Sequence, residues 1–272
     1  MLRKLRRRIG LLAISVLFVA MGNMRWPTGH WEGGPVDERS AESPAVNLLK
    51  KPSHLRLASF NIHSCVGLDS KFNVQRTADI LRGYDLVALQ EVQGPGLWWE
   101  DDADELGEKL GVAEFFSPTE LRWWHPWFGN GVLTRTRIEH WERMELPCGF
   151  DDAYRNVLLL KVPFGAGSLN VVMAHLGKGR NREWQFPIVA EMFLRVAPPA
   201  VLMGDLNTRP WDPMMQRLLK EPGVEDPIAM RLAHPVDRCE FILVRGARWR
   251  DAGLVENDAS DHPVIWVEVE AP

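Results

Sequence analysis

Cysteine is scarce in this chain of 272 residues: Cys65, Cys148 and Cys239 are all it has, far apart and in no Cys-x-x-Cys or Cys/His pairing. An odd, scattered set excludes a disulfide framework and a thiolate zinc site, and reads as buried thiols. Positive charge is just as short in the body. The formal net charge is −4, yet Arg3, Lys4, Arg6, Arg7 and Arg8 crowd the start, so the rest without those five positives stands at −9. A body of that sign lacks the basic stripe with which proteins grip long polyanions. Tight, nonspecific DNA binding is argued against; a small or transient phosphate substrate is not. Internal repeats are missing too.

Nor does the apolar run at residues 9–21, about 13 long, reach the roughly 20 residues that span a bilayer. A basic flank, then this run, then Gly22, Asn23 and Met24 is the layout of a secretory signal or a short membrane anchor. Ala20 and Gly22 offer a small-residue cleavage site, so cleavage and retention both stay open. The positive flank predicts a cytoplasmic N-terminus and an exported, extracytoplasmic body. A cytosolic amphipathic start is the bland alternative. Residues 1–24 are thus read as signal or anchor, 25–53, rich in Gly, Pro, Ser and Glu, as a linker, and 54–272 as one α/β catalytic-size domain.

What the body does hold is a series of short apolar runs that stop at chemically capable residues. Residues 201–207 read Val-Leu-Met-Gly-Asp-Leu-Asn. The run has the length of a buried strand, whereas a buried helix needs ten or more residues. Asp205 and Asn207 lie two apart, so an extended backbone puts a carboxylate and a carboxamide on one face where the strand gives out. For that pair alone, an Asx turn capping the helix-like segment 214–220 is the alternative. Other runs end alike. Residues 55–61 close on Asn61, with His63 two positions on; 85–91 close on Glu91; 168–175 close on His175; and Asp261-His262 precede a last strand at 264–270. Further strands are expected at 139–146, 154–162 and 238–244, with 129–135 a loop entering a strand. Helical spacing covers 72–83, 99–110 and 183–196, with Gly83 and Gly111 as stops. The first strand, helix and strand form a βαβ pattern.

If these tips are neighbours in one sheet system, oxygen ligands converge beside two imidazoles. Carboxylate and carboxamide oxygens without thiolates suit a hard cation such as Mg²⁺ or Mn²⁺, which binds through one or two carboxylates plus substrate phosphate. A histidine near its working pH can take a proton from an attacking water, and a second donor can meet charge on the leaving oxygen. Taken singly, a strand-terminal Asn or His is more often a turn-maker. Five segments that end or begin in such residues carry the reading.

Phe60-Asn61-Ile62, Leu89-Gln90-Glu91, Gly129-Asn130-Gly131-Val132-Leu133, Ala174-His175-Leu176-Gly177, Gly204-Asp205-Leu206-Asn207 and Ser260-Asp261-His262-Pro263, in that order and spacing, resemble the motif series of the endonuclease/exonuclease/phosphatase superfamily with the deoxyribonuclease-I-like fold. The resemblance runs from about residue 55 to about residue 270. It implies a four-layer α/β sandwich, two packed mixed β-sheets flanked by helices, hydrolysing a phosphoester where the strand tips meet. It implies Glu91 as a principal ligand of Mg²⁺ or Mn²⁺, with Asn61 and Asp261 close to the metal. Asp205 and Asn207 would position the attacking water and the phosphoryl oxygens, His262 would act as base or phosphate donor, His175 as general acid or donor to the leaving group, and Asn130 would face substrate. The family's Asp that holds the last histidine is absent: Arg238-Cys239-Glu240-Phe241-Ile242 offers Glu240 instead, with Asp237 as a substitute. A phosphodiesterase or nuclease is the leading reading, on a small phosphodiester, a lipid headgroup or DNA. A phosphomonoesterase and a non-catalytic binding module keeping the fold are the alternatives, and no protein partner is implied.

Three groups are weighed apart. Arg155, ahead of an apolar run, is a candidate phosphate clamp or a surface arginine. Lys178, Arg180 and Arg182, beside His175, either hold substrate phosphate or form a solvated turn; nearness to His175 favours the former. Trp98, Trp99, Trp123, Trp124 and Trp127 fall in two loop-like stretches. Packing under long loops is the ordinary reading, and a lip that stacks on a base or settles at a lipid interface is the other.

Overall fold

Strands buried on both faces need apolar residues at successive positions, and that is what the short runs supply. In the computed structural model, which describes residues 15–16, 19, 21, 24–36, 51–97, 99–149, 153–233 and 236–272, they assemble into two seven-stranded mixed sheets. The first sheet runs β1 (Arg25–Pro27), β5 (Ala113–Arg122), β6 (Phe128–Thr134), β4 (Leu86–Gln93), β3 (His54–Asn61), β14 (Val264–Glu270), β13 (Arg248–Val255). The second runs β11 (Val224–Glu225), β12 (Glu240–Arg245), β10 (Ala200–Asp205), β9 (Gly167–His175), β8 (Arg155–Phe164), β7 (His140–Leu146), β2 (Trp31–Gly33). Most neighbours are antiparallel; β3/β4 and β9/β10 are parallel.

Alternation along single strands sorts side chains into layers. Leu55 and Leu57 of β3 join Met203, Val171 and Ile242 between the sheets, while Ala58 and Phe60 face the other way. That outer face is covered by α1 (Val74–Ile80) and α2 (Asp102–Leu110) through Val74, Ala78 and Leu106. Across the molecule, α3 (Arg180–Arg195) and α4 (Pro213–Leu218) set Phe186, Val189, Phe193 and Met215 on Val172, Leu202 and Phe241. Helix, sheet, sheet and helix make the expected four layers. A fifth helix, α5 (Pro227–Leu232), packs against β12, β13 and β14.

Helix ends follow their chemistry. Asp101 caps α2 by accepting from the Ala103 and Asp104 amides, and Gly111 ends it in a left-handed conformation. The acidic helix is therefore shorter at its start than the spacing of 99–110 suggests, because Asp101 caps it. Three strands of the body went unforeseen, the two-residue β11 among them, and the other two show the reason in their residues. β5 carries Pro118 beside a register shift, and β13 is a charged edge strand. Part of the expected linker is also woven in: β1 pairs with β5, β2 with β7, and Val36 bridges Ile138. Residues 37–50 and most of the N-terminal run lie outside the described residues.

Candidate active site

Strand register brings the site together. In the second sheet His175, Asp205 and Glu240 stand in one row across β9, β10 and β12. In the first sheet Asn61, last residue of β3, stands beside Gln90 of β4. Glu91 joins through a break: the pairing of β4 with β6 shifts register between Leu89 and Val92, and Glu91 has a φ of 58°. A bulge of this kind re-aims a side chain, and a left-handed glutamate costs on the order of 1 kcal/mol that the surrounding sheet must absorb. Gly204, with a φ of 142°, lies so close to β9 that a Cβ would sit 1.9 Å from the Ala174 carbonyl oxygen. Only glycine lets β9 and β10 approach this closely just before His175 and Asp205.

Asn61 is the hub. Its Nδ2 donates to Glu91 Oε1 at 3.0 Å and to Asp205 Oδ2 at 3.2 Å, and lies 3.5 Å from His262 Nε2. Its Oδ1 accepts from the His63 amide, and Ser260 Oγ donates to its carbonyl at 2.7 Å. His175 Nε2 stands 3.5 Å from Asp205 Oδ2 and 4.0 Å from Glu91 Oε1. The Asn207 amide donates to Asp205 Oδ1 at 2.9 Å, while its carboxamide donates to the Leu176 carbonyl. On the far side His262 Nδ1 is hydrogen-bonded to Glu240 Oε1. Asp261 stands a step further out, 55 % exposed, with its carboxylate 3.8 Å from both His262 Nε2 and His63 Nδ1.

Glu240 therefore fills the place for which two acids were candidates. Asp237 instead pairs with Arg209 on the surface at 3.1 Å. The longer glutamate works because buried Arg238 fixes its backbone: Arg238 Nε donates to the Glu240 carbonyl, and its guanidinium is paired with Asp226. Asn130 is buried and donates to Asn156, which in turn donates to the Pro118 carbonyl. Lys178 and Arg180 are exposed where α3 begins. Arg182 donates to the Asn207 carbonyl and pairs with Asp212, so it braces the loop after β10. Sequence reasoning did not single out Asn156, Arg238 or Ser260 as site residues. Ser260 and Arg238 sat inside quoted stretches; Asn156 had only its place beside a strand tip to mark it.

Burial sets the charges. Desolvation, with Arg155, His262 and Lys178 nearby, pulls His175 well below the ordinary imidazole range, so its ring is neutral. Burial opposes charge on His262 as well, yet the bond and charge of Glu240, with Asp205 and Asp261, overcome it and raise the ring to about 9. Desolvation and Glu240 push Asp205 up. Burial pulls Arg155 down, and Glu91, Glu120 and Asp205 pull it back. The Arg155 guanidinium donates to the Tyr154 carbonyl and lies over the Phe128 ring, with a buried Nε that has no hydrogen-bond partner.

Asp205, Cys239, Glu240 and His262 place donor atoms within 4.8 Å of one another. They make a poor coordination set: burial first, then Asp205 and Glu240, keep the Cys239 thiol protonated, and Glu240 Oε1 is already engaged by His262 Nδ1. The fit to a hard cation lies instead on the Asn61 side. There the Glu91 and Asp205 carboxylates share a single amide group as donor, and no thiolate is at hand.

The sequence matches the Endonuclease/Exonuclease/phosphatase family over residues 58–262. None of the curated proteins compared matches it. Among solved structures it is similar to an endonuclease/exonuclease/phosphatase from Beutenbergia cavernae DSM 12333, with TM-score 0.65, 22 % identity, and 80 % of this chain and 72 % of that one covered. A family protein from Leptotrichia buccalis C-1013-b gives TM-score 0.65 at 17 % identity, covering 79 % and 99 %. A humanized D. rerio TDP2 gives 0.58 at 20 %, covering 80 % and 100 %. Those identities speak to fold alone, but the family match takes in every strand tip from Asn61 to His262, and the chain belongs to the endonuclease/exonuclease/phosphatase family.

Proposed function

We propose that this phosphoesterase is an exported, Mg²⁺-dependent phosphodiesterase in which water attacks phosphorus directly. The observation that carries the reading is the Asn61 hub, which gathers Glu91, Asp205 and His262 from three strand tips. Glu91 and Asn61 would hold the cation, with Asp261 at its outer side; bound there, it would polarise a phosphoryl oxygen and offset developing charge. Asp205, a desolvated carboxylate with a raised pKa, accepts the proton of the attacking water. His262, charged through Glu240, donates to a phosphoryl oxygen. His175, neutral and buried, is better suited to donating a hydrogen bond to the leaving oxygen than to giving up a proton outright. Asn207 steadies Asp205 through its backbone amide, and Arg155 supplies positive charge for the transition state. Asn130, Lys178 and Arg180 would contact the substrate around this centre. Export rests on the basic flank and apolar run at the N-terminus.

The test is hydrolysis of an aryl phosphodiester and an aryl phosphomonoester with Mg²⁺, with and without excess chelator. Diester turnover that chelator abolishes is expected. Full activity in chelator, or turnover of the monoester alone, ends the proposal.

A further inference from the structure

Large apolar side chains stay exposed along the edge where the strand tips meet, and they are connected. Trp123 (52 % exposed) and Trp124 (40 %) sit at the tip of the β5–β6 hairpin, with Leu97 (61 %) and Trp99 on the loop after β4. The two loops are bonded to each other. The Gly94 amide donates to the Trp127 carbonyl at 2.9 Å, and the Trp127 amide to the Pro95 carbonyl at 3.2 Å. Phe72 extends the band beyond Trp99, ring centroids 5.5 Å apart, and Trp26 extends it beyond Trp123 at 5.9 Å. Packing beneath loops would hide such rings; a contiguous exposed patch marks an interaction surface.

Trp26 also tells what covers the patch. It lies in β1, which pairs antiparallel with β5 so that Arg25 stands opposite Arg122, next to Trp123. The chain ahead of β1 therefore enters at the same edge as the rim, and that chain is the apolar run 9–21 with its basic flank. Val16 and Val19 of this run are both exposed. The rim and the point where the chain from the N-terminal run enters β1 thus share one edge with Asn61, Glu91 and Asp205.

We propose that this edge rests on a lipid bilayer, with the rim tryptophans at headgroup level, the N-terminal run in the acyl region and the groove open to the membrane surface. Tryptophan favours that depth because its ring is apolar with a single polar N–H. With the run retained as the short membrane anchor that keeps the body outside, its attachment ahead of β1, beside Trp123, makes rim docking almost intramolecular. A groove held this way receives phosphodiesters presented by lipid headgroups; this consequence alone rests on the phosphodiesterase reading.

Hydrogen exchange of the full chain on phosphatidylcholine vesicles is the test. Amides at 94–99 and 122–128 should exchange about tenfold more slowly when bound, while the turns at Gly165 and Gly246, on the opposite edge, stay unchanged. Brominated phosphatidylcholine should quench the tryptophan fluorescence. A Trp123→Ser/Trp124→Ser variant should lose about half of that quenching yet still hydrolyse a soluble phosphodiester. Absence of vesicle binding, binding through the N-terminus with rim exchange unaltered, or protection on the opposite edge overturns the proposal. So does protection of the same loops by duplex DNA but not by vesicles. Rim protection without any hydrolysis keeps the docking and removes only the phosphodiesterase.

Discussion

His262 carries its proton because of one carboxylate. Burial alone would lower the ring, and Glu240 reverses that to give about 9. Glu240→Gln should therefore drop the His262 pKa below 6.5, read directly from its imidazole resonances in an NMR titration. In the wild type the raised pKa contributes stability that is complete below about pH 6.5 and fades as pH climbs through 9. The variant should lose that slope. An unchanged titration would mean that Asp205 or Asp261 holds the charge instead. Asp205→Asn keeps the shape and can still accept from either Asn61 or the Asn207 amide, but not both, and removes the proton acceptor. Diester turnover should fall by about 10²-fold or more with substrate affinity little changed; a loss under tenfold would assign the base elsewhere. Residues at this scale were legible where a motif ended a strand, as with Asn61, Glu91, His175, Asp205 and His262. Glu240 was read ahead of Asp237 from the sequence as well, but the Arg238–Asp226 clamp that steadies it is a contact that no local pattern encodes.

Elements place these residues, and two of them store cost. Gly204 sits where β9 and β10 nearly touch. Gly204→Ala forces the strands apart against the Ala174 carbonyl and also meets an unfavourable φ, so it should destabilise by about 2 kcal/mol or more and misplace the His175–Asp205 pair. Urea unfolding measures the first effect and diester turnover the second; a fully stable, active variant would show that the close approach is dispensable. At the start of α2, Asp102 is buried, accepting from the Gln93 amide, and desolvation raises it to about 7. Folding thus favours its protonated form: the stabilisation is whole below pH 3.8 and disappears as pH rises through 7. Asp102→Asn should leave the melting temperature near pH 4 almost unaltered and raise it at pH 8 by about 6–12 °C, the counterpart of a gain on the order of 3 kcal/mol. Calorimetry at the two pH values decides, and equal shifts at both would remove charge burial as the cause. Short α5, capped by Asp226, went unforeseen, but the long apolar strands and the other helices were readable because period and caps are local. β5, with Pro118, and edge strand β13 were not, since their pairing depends on partners far along the chain.

For the whole molecule, convergence of like charges makes stability a readout of the proposed cation. Glu91, Asp205 and Glu240 project from two different sheets into one site, and the hydrogen bonds of Asn61 join the first sheet to the second. A cation that binds only this folded arrangement stabilises it by mass action, about 2.7 kcal/mol at a hundred times its Kd. For a domain of this size each kcal/mol moves the melting point by about 2–4 °C, so saturating Mg²⁺ should raise it by about 5–10 °C over chelator. Glu91→Gln should abolish that rise. The glutamine keeps the left-handed backbone of position 91 and can still accept from Asn61, so the melting point in chelator should scarcely change. Asp261→Asn, at the exposed outer side, should trim the rise without removing it. Were Glu91→Gln to retain the full increment while Asp205→Asn lost it, the cation would belong to the second sheet, and the hub at Asn61 would serve proton transfer alone.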